Sequence, residues 1–90
     1  MPTVHLLIKG KVQGVFYRAT AKDVAQTLDL CGWIKNTSEG HVEAIVSGSE
    51  KSLHQFIEWC KKGPEKAVVT IINVTSVTEQ AFADFRIIKG

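Results

Sequence analysis

Residues 4–28, VHLLIKGKVQGVFYRATAKDVAQTL, decide the fold, because the hydrophobic period changes inside them. Val4, Leu6 and Ile8 alternate with His5, Leu7 and Lys9, and a period of two predicts a strand over Val4 to Lys9 with one face better buried than the other. Gly10 and Gly14 then bracket a loop. From Ala19 to Leu28 the residues Ala21, Val24, Ala25 and Leu28 fall at i, i+3, i+4 and i+7, one apolar stripe on a helix. A strand has passed into a helix through a glycine-bracketed loop.

The pattern recurs further along. Trp33 to Asn36 and His41 to Ser47 are extended runs joined by Thr37-Ser38-Glu39-Gly40, where Gly40 can take the positive φ that a hairpin turn requires. Ser49 can cap a second helix, on which Leu53, Phe56, Ile57 and Cys60 repeat the stripe, and Lys61-Lys62-Gly63-Pro64 supply cations and then a stop. Ala67 to Val77 is rich in β-branched residues and reads as a long strand, and Phe85 to Lys89 as a short terminal one. The order is β-α-β-β-α-β with a short C-terminal strand. Helices with one apolar stripe each need a common partner, and a sheet supplies it. The expectation is an α+β, ferredoxin-like sandwich: a mixed or antiparallel sheet, right-handed crossovers, and two antiparallel helices on one face. With 90 residues, 44% of them hydrophobic, the chain holds one core, so residues 1–90 are expected to form a single domain and a monomer.

Composition removes several functions. Eleven basic and nine acidic residues leave a net charge of +2, too small and too scattered for a surface that grips a phosphate backbone. An RNA-recognition sheet would also want Phe or Tyr where the central strands offer Leu7 and Ile45. Nucleic acid is not an expected partner. The apolar run Ala67 to Val74 is far shorter than a membrane span, and Met1 to His5 lacks the basic and apolar regions of a secretory signal. The expected location is cytoplasmic, with no membrane partner. Neither Cys31 nor Cys60 lies in a CxxC motif, and both read as buried free thiols at opposite ends of the helix layer.

The chemistry concentrates in Gly10-Lys11-Val12-Gln13-Gly14-Val15-Phe16-Tyr17-Arg18. Loop N–H groups followed by a helix N-terminus can converge on an oxyanion, and an arginine adds a planar fork that matches phosphate or carboxylate. The segment has neither the GxxxxGK[ST] nor the GxGxxG spacing, so the ATPase and dinucleotide readings lack their residues. Residue types alone leave two alternatives open: an anion site, or a turn at Gly14 followed by a solvated Arg18.

This segment, GKVQGVFYR, resembles the acylphosphatase family signature GxVQGVx[FY]R in every fixed position. A second block, Gly32-Trp33-Ile34-Lys35-Asn36, three residues, Gly40-His41-Val42, five residues and Gly48, resembles the family's strand-turn-strand block. Gly63-Pro64 followed by Ala67 and Val69 also fits. Two departures are Ile34 where the family usually has Val or Ala, and Asp29 where a glycine commonly follows the first helix. The resemblance implies a hydrolase of acyl phosphates, small-molecule carboxylic-phosphoric anhydrides, working without metal or organic cofactor. Inorganic phosphate is then product and competitive inhibitor. It further implies that Arg18 binds phosphate, that the amides of Val15, Phe16, Tyr17 and Arg18 form its cradle, that Gln13 and Gly14 shape the loop, and that Asn36 orients the attacking water.

Other polar residues invite weaker readings. His5 and His41 fall on the strand parity opposite the apolar one and His54 flanks a helix stripe, so exposed structural histidines are expected. Glu39, Glu43, Glu50 and Glu58 read as surface charges. Trp33 and Trp59 read as packing residues, with Trp33 a candidate for one wall of the site.

Overall fold

A computed structural model describes residues 1–89; Gly90, the last residue of the expected domain, lies outside the described residues. The elements are β1 (Thr3–Lys11), α1 (Tyr17–Thr27), β2 (Cys31–Asn36), β3 (Val42–Ser47), α2 (Glu50–Lys62), β4 (Val68–Val77) and β5 (Phe85–Ile88). They follow the expected order. Helix α1 begins two residues before the expected start at Ala19, because Tyr17 is itself buried and its hydroxyl donates to the Cys60 carbonyl at 2.7 Å.

The sheet order is β4-β1-β3-β2-β5, with β1–β4, β1–β3 and β2–β3 antiparallel and β2–β5 parallel. The sheet is therefore mixed. Register explains the burial: Leu6 stands opposite Ala44 and Val74, and Ala44 opposite Ile34, so one row of small and branched side chains crosses the sheet on the helix side. Leu6, Ile8, Ile34, Val42, Ala44 and Val46 join Ala21 and Ala25 of α1 and Leu53, Phe56 and Cys60 of α2 in one core. Helix α1 lies over β2 and β5 and α2 over β4, both on that face. Tyr17 and Phe56 pack against Trp59, and Phe85 meets Phe56 edge-on, with centroids 5.4 to 6.3 Å apart.

On the other face His5, Lys35 and Glu43 share neighbouring registers, and His5 Nε2 and Glu43 Oε2 are 2.7 Å apart. His5 is thus half-buried and paired, a correction to the expected exposed histidine. Cys31 is likewise half-buried, because it opens β2 at the sheet margin, whereas Cys60 is buried; both are free thiols. Asp29 takes φ 57°, the left-handed turn that would suit a glycine, and Gly40 takes φ 90° at the hairpin. Among the described residues no helix is long and apolar enough to cross a membrane.

Candidate active site

Strand β1 ends at Lys11, and five residues carry the chain into α1. Val12 and Val15 are 1% and 6% exposed, so the loop is nailed to the core at two points while the residues between and after them face outward. Gly14 makes the first reversal at φ 73°, and a Cβ there would meet open space, so only the backbone angle requires glycine. Gln13 fixes the loop from the side: its Nε2 donates to the carbonyls of Thr37 and His41, each at 2.9 Å. Those carbonyls belong to the ends of the β2–β3 hairpin, just past Asn36. One side chain therefore ties the loop to the strand end that carries Asn36.

Phe16 is the N-cap of α1, with φ 64° and no side-chain hydrogen bond to the helix amides. A left-handed non-glycine residue costs roughly 1–2 kcal/mol, and a phenyl ring has no cap to offer. The first turn of α1 holds no acidic residue. Its leading N–H groups are consequently uncompensated, and the helix contributes the equivalent of about half a positive charge there. Arg18, half-buried in the same turn, adds a full one. Among the described residues no carboxylate forms an ion pair with it.

These groups border a cavity of about 520 Å³ lined by Val12, Gly14, Phe16, Tyr17, Arg18, Ala19, Asn36, Ile87 and Lys89. The lining brings Gly14, Phe16, Tyr17, Arg18 and Asn36 together. Val15 and Gln13 stand behind it. Asn36 arrives there by strand parity: Ile34 faces the core, so Asn36, two residues on, faces the same side at the open end of β2. Its Oδ1 is buried and accepts no hydrogen bond from any described residue. An acceptor in that condition has a cost unless something donates to it. Burial pushes the Tyr17 phenol well above its ordinary pKa, and its hydroxyl is occupied by Cys60, so Tyr17 offers the cavity its backbone rather than an acid.

Trp33 is not a wall of the cavity. It sits one residue out of phase with Ile34 and Asn36, on the opposite sheet face, with the Lys35 ammonium 5.4 Å from its ring centroid. Trp59 does pack, against Tyr17 and Phe56. Sequence reasoning missed Ile87 and Lys89. Parallel pairing of β5 with β2, Ile34 level with Ile87 and Lys35 with Ile88, sets the end of β5 beside Asn36, and no local pattern announces which strand a short terminal strand will join. Among the described residues two cations and no carboxylate line the cavity. Among the described residues no group of three or more His, Cys, Asp or Glu is gathered closely enough to hold a metal ion.

The class is thus an α+β sandwich with a cationic pocket at the open start of its first helix. The acylphosphatase family model matches residues 4–87. The chain is 45% identical to the acylphosphatase of Marinobacter nauticus, over 91% of this chain and 90% of that relative. The structure superimposes on an acylphosphatase from Bacillus subtilis with a TM-score of 0.95 and 34% identity, covering 98% of this chain and 99% of that one. For an acylphosphatase from Coxiella burnetii the TM-score is 0.93 and the identity 37%, over 96% and 90% of the two chains. The chain belongs to the acylphosphatase family, hydrolases that act on acid anhydrides.

Proposed function

We propose that the protein hydrolyses acyl phosphates to a carboxylate and inorganic phosphate, with Arg18 and the amides of Val15 to Arg18 holding the phosphoryl group and Asn36 orienting the water. The observation that carries this reading is the shared cavity: an uncapped helix start, an arginine with no carboxylate partner among the described residues, and Asn36 border one space. Convergent N–H groups and a guanidinium fork suit a tetrahedral dianion. As water oxygen bonds to phosphorus, the bond from phosphorus to the acyl oxygen breaks and its electron pair leaves with the carboxylate. Negative charge gathers on oxygens that the cradle already faces, which is where fixed donors lower a barrier most.

A carboxylate is a good leaving group, so the step needs placement and charge stabilisation more than a strong base. Among the described residues the cavity lining offers no carboxylate or imidazole. In this reading a phosphoryl oxygen of the substrate takes the water's proton, and the Asn36 side-chain amide holds the same water by hydrogen bonds. Phosphate monoesters, whose alkoxide leaves poorly, should remain untouched because the described lining supplies no carboxylic acid or imidazole to protonate it.

The test is release of inorganic phosphate from acetyl and benzoyl phosphate, with a phosphate monoester as control. The expected result is turnover of both acyl phosphates, none of the monoester, competitive inhibition by phosphate, and no change on adding a chelator. Activity lost to chelator and restored by metal would overturn the cofactor-free mechanism. Non-competitive inhibition by phosphate would count against the cradle.

A further inference from the structure

We propose that the Phe16 ring is the acyl-group wall of this site and biases it toward acyl phosphates whose acyl half is aromatic or otherwise bulky and apolar; this rests on the phosphate-cradle reading above. Three observations converge on Phe16. Its side chain is 78% exposed, the most exposed of the large hydrophobic residues. It borders the cavity. And its backbone sits at φ 64°, a conformation that favours glycine and is an outlier for a bulky residue.

Folding explains none of this. Among the described residues the ring contacts join Tyr17, Phe56, Trp59 and Phe85, and Phe16 has no aromatic neighbour. Val12 and Val15 already anchor the loop from within. A glycine at this position would adopt the same turn without strain and without exposing a phenyl ring to water. Folding alone therefore selects against the residue that is present.

Ligand binding gives the ring a use. In the cradle the Phe16 backbone N–H serves the phosphoryl group, so its side chain rises from the rim beside the atoms that continue from that group, the acyl half. The cavity of about 520 Å³ is far larger than a phosphoryl group needs. Much of the remaining lining is apolar: Val12, Ala19 and Ile87, with Phe16 the largest member. An aromatic acyl group entering there removes its own surface and the exposed ring from water together, whereas an acetyl group covers little of either.

The test measures kcat/KM for benzoyl phosphate and acetyl phosphate in the parent protein and in Phe16→Gly, Phe16→Asn and Phe16→Leu. Glycine and asparagine both tolerate positive φ, so two variants without a ring should fold. The readout is the ratio of the two substrates within each protein. We expect the ratio to favour benzoyl phosphate in the parent, to fall about tenfold in Phe16→Gly and Phe16→Asn, about 1.4 kcal/mol of discrimination, and to fall less in Phe16→Leu. Phe16→Gly should melt no lower than the parent. A ratio within about twofold of the parent in variants that remain folded overturns the proposal, as does an equal loss on both substrates, which would make Phe16 a loop-shaping residue. A parent that hydrolyses neither substrate overturns the acyl phosphate reading and the proposal with it, an outcome distinct from an unchanged ratio.

Discussion

Helix α2 begins on Ser49, whose hydroxyl accepts a hydrogen bond from the Ser52 amide at 3.1 Å; Glu50 occupies its first turn, Lys61 and Lys62 its last, and Gly63 follows. Helix α1 begins on Phe16, with no side-chain cap, no acid in its first turn, no base in its last, and Arg18 where a cation opposes the helix dipole. The two helices share one core and differ at their starts. Each feature of α2 lowers the energy of the folded chain on its own. The start of α1 does the reverse, setting a cation, uncapped N–H groups and a strained Phe16 together, an arrangement that the proposed anion would make favourable. One helix start is complete in the protein; the other, in the proposed function, is completed by substrate.

The largest effect should come from Arg18, where the comparison is sharpest. Arg18→Lys keeps a charge and loses the planar fork, and should lower kcat/KM for an acyl phosphate about a hundredfold or more, as for loss of one preorganised donor to a developing oxyanion. The melting temperature should move little, because no described carboxylate pairs with this residue. A large drop in melting temperature with activity per folded molecule intact would make Arg18 structural.

Asn36 comes next. Removing its amide should act on the transition state, so Asn36→Ala should lower kcat by about a hundredfold while KM changes little. Asn36→Asp places a carboxylate beside the phosphoryl group and should weaken binding as well, raising KM and the inhibition constant for phosphate. If kcat for Asn36→Ala stays within a factor of about three of the parent, under 1 kcal/mol, the asparagine does no more than finish its strand.

A third expectation concerns the anion itself. If phosphate completes the start of α1, it should stabilise the folded protein by about 1.4 kcal/mol at ten times its dissociation constant. For a chain of this size that raises Tm by several degrees. Sulfate-free buffers with and without phosphate give the shift directly, and Arg18→Ala should erase most of it. A shift that survives Arg18→Ala undiminished would place the bound phosphate elsewhere on the molecule.

Much of this contrast is legible in the sequence. The second helix reads from Ser49 to Gly63 because caps, terminal charges and an apolar stripe are local and mutually consistent. The sheet's first strand, the hairpin and the glycine-bracketed loop are local too. Less legible were features that depend on distant partners. Trp33, read from the sequence as a packing residue and a candidate for one wall of the site, is set by pairing on the face opposite Ile34 and Asn36. Ile87 and Lys89 joined the cavity through parallel pairing with β2, which leaves no trace in either strand alone. The amide of Gln13, which could be seen only as part of a loop, proves to bridge Thr37 and His41. The αL turn at Phe16 was hidden for a further reason: a bulky residue is the last type from which positive φ would be inferred.

The smallest effect tests the other half of the comparison. Ser49→Ala removes the hydroxyl that satisfies the Ser52 amide at the start of α2, and replacing such a cap costs about 1 kcal/mol. The loss should appear in full as a lower midpoint of denaturant unfolding with the slope unchanged, since neither end state changes its exposed surface. Activity per folded molecule should equal that of the parent, because Ser49 is absent from the cavity lining. Phosphate should raise Tm in Ser49→Ala by the same increment as in the parent, since binding at α1 does not involve the cap of α2. Two results would break the comparison from this side. An unchanged unfolding midpoint would mean that water or a neighbouring carbonyl satisfies the Ser52 amide equally well, so that α2 gains nothing from its cap. A fall in kcat/KM of about tenfold at unchanged folded fraction would mean that the two helix starts are coupled through the shared core. In that case the division of labour between a helix closed for stability and a helix left open for substrate would not hold.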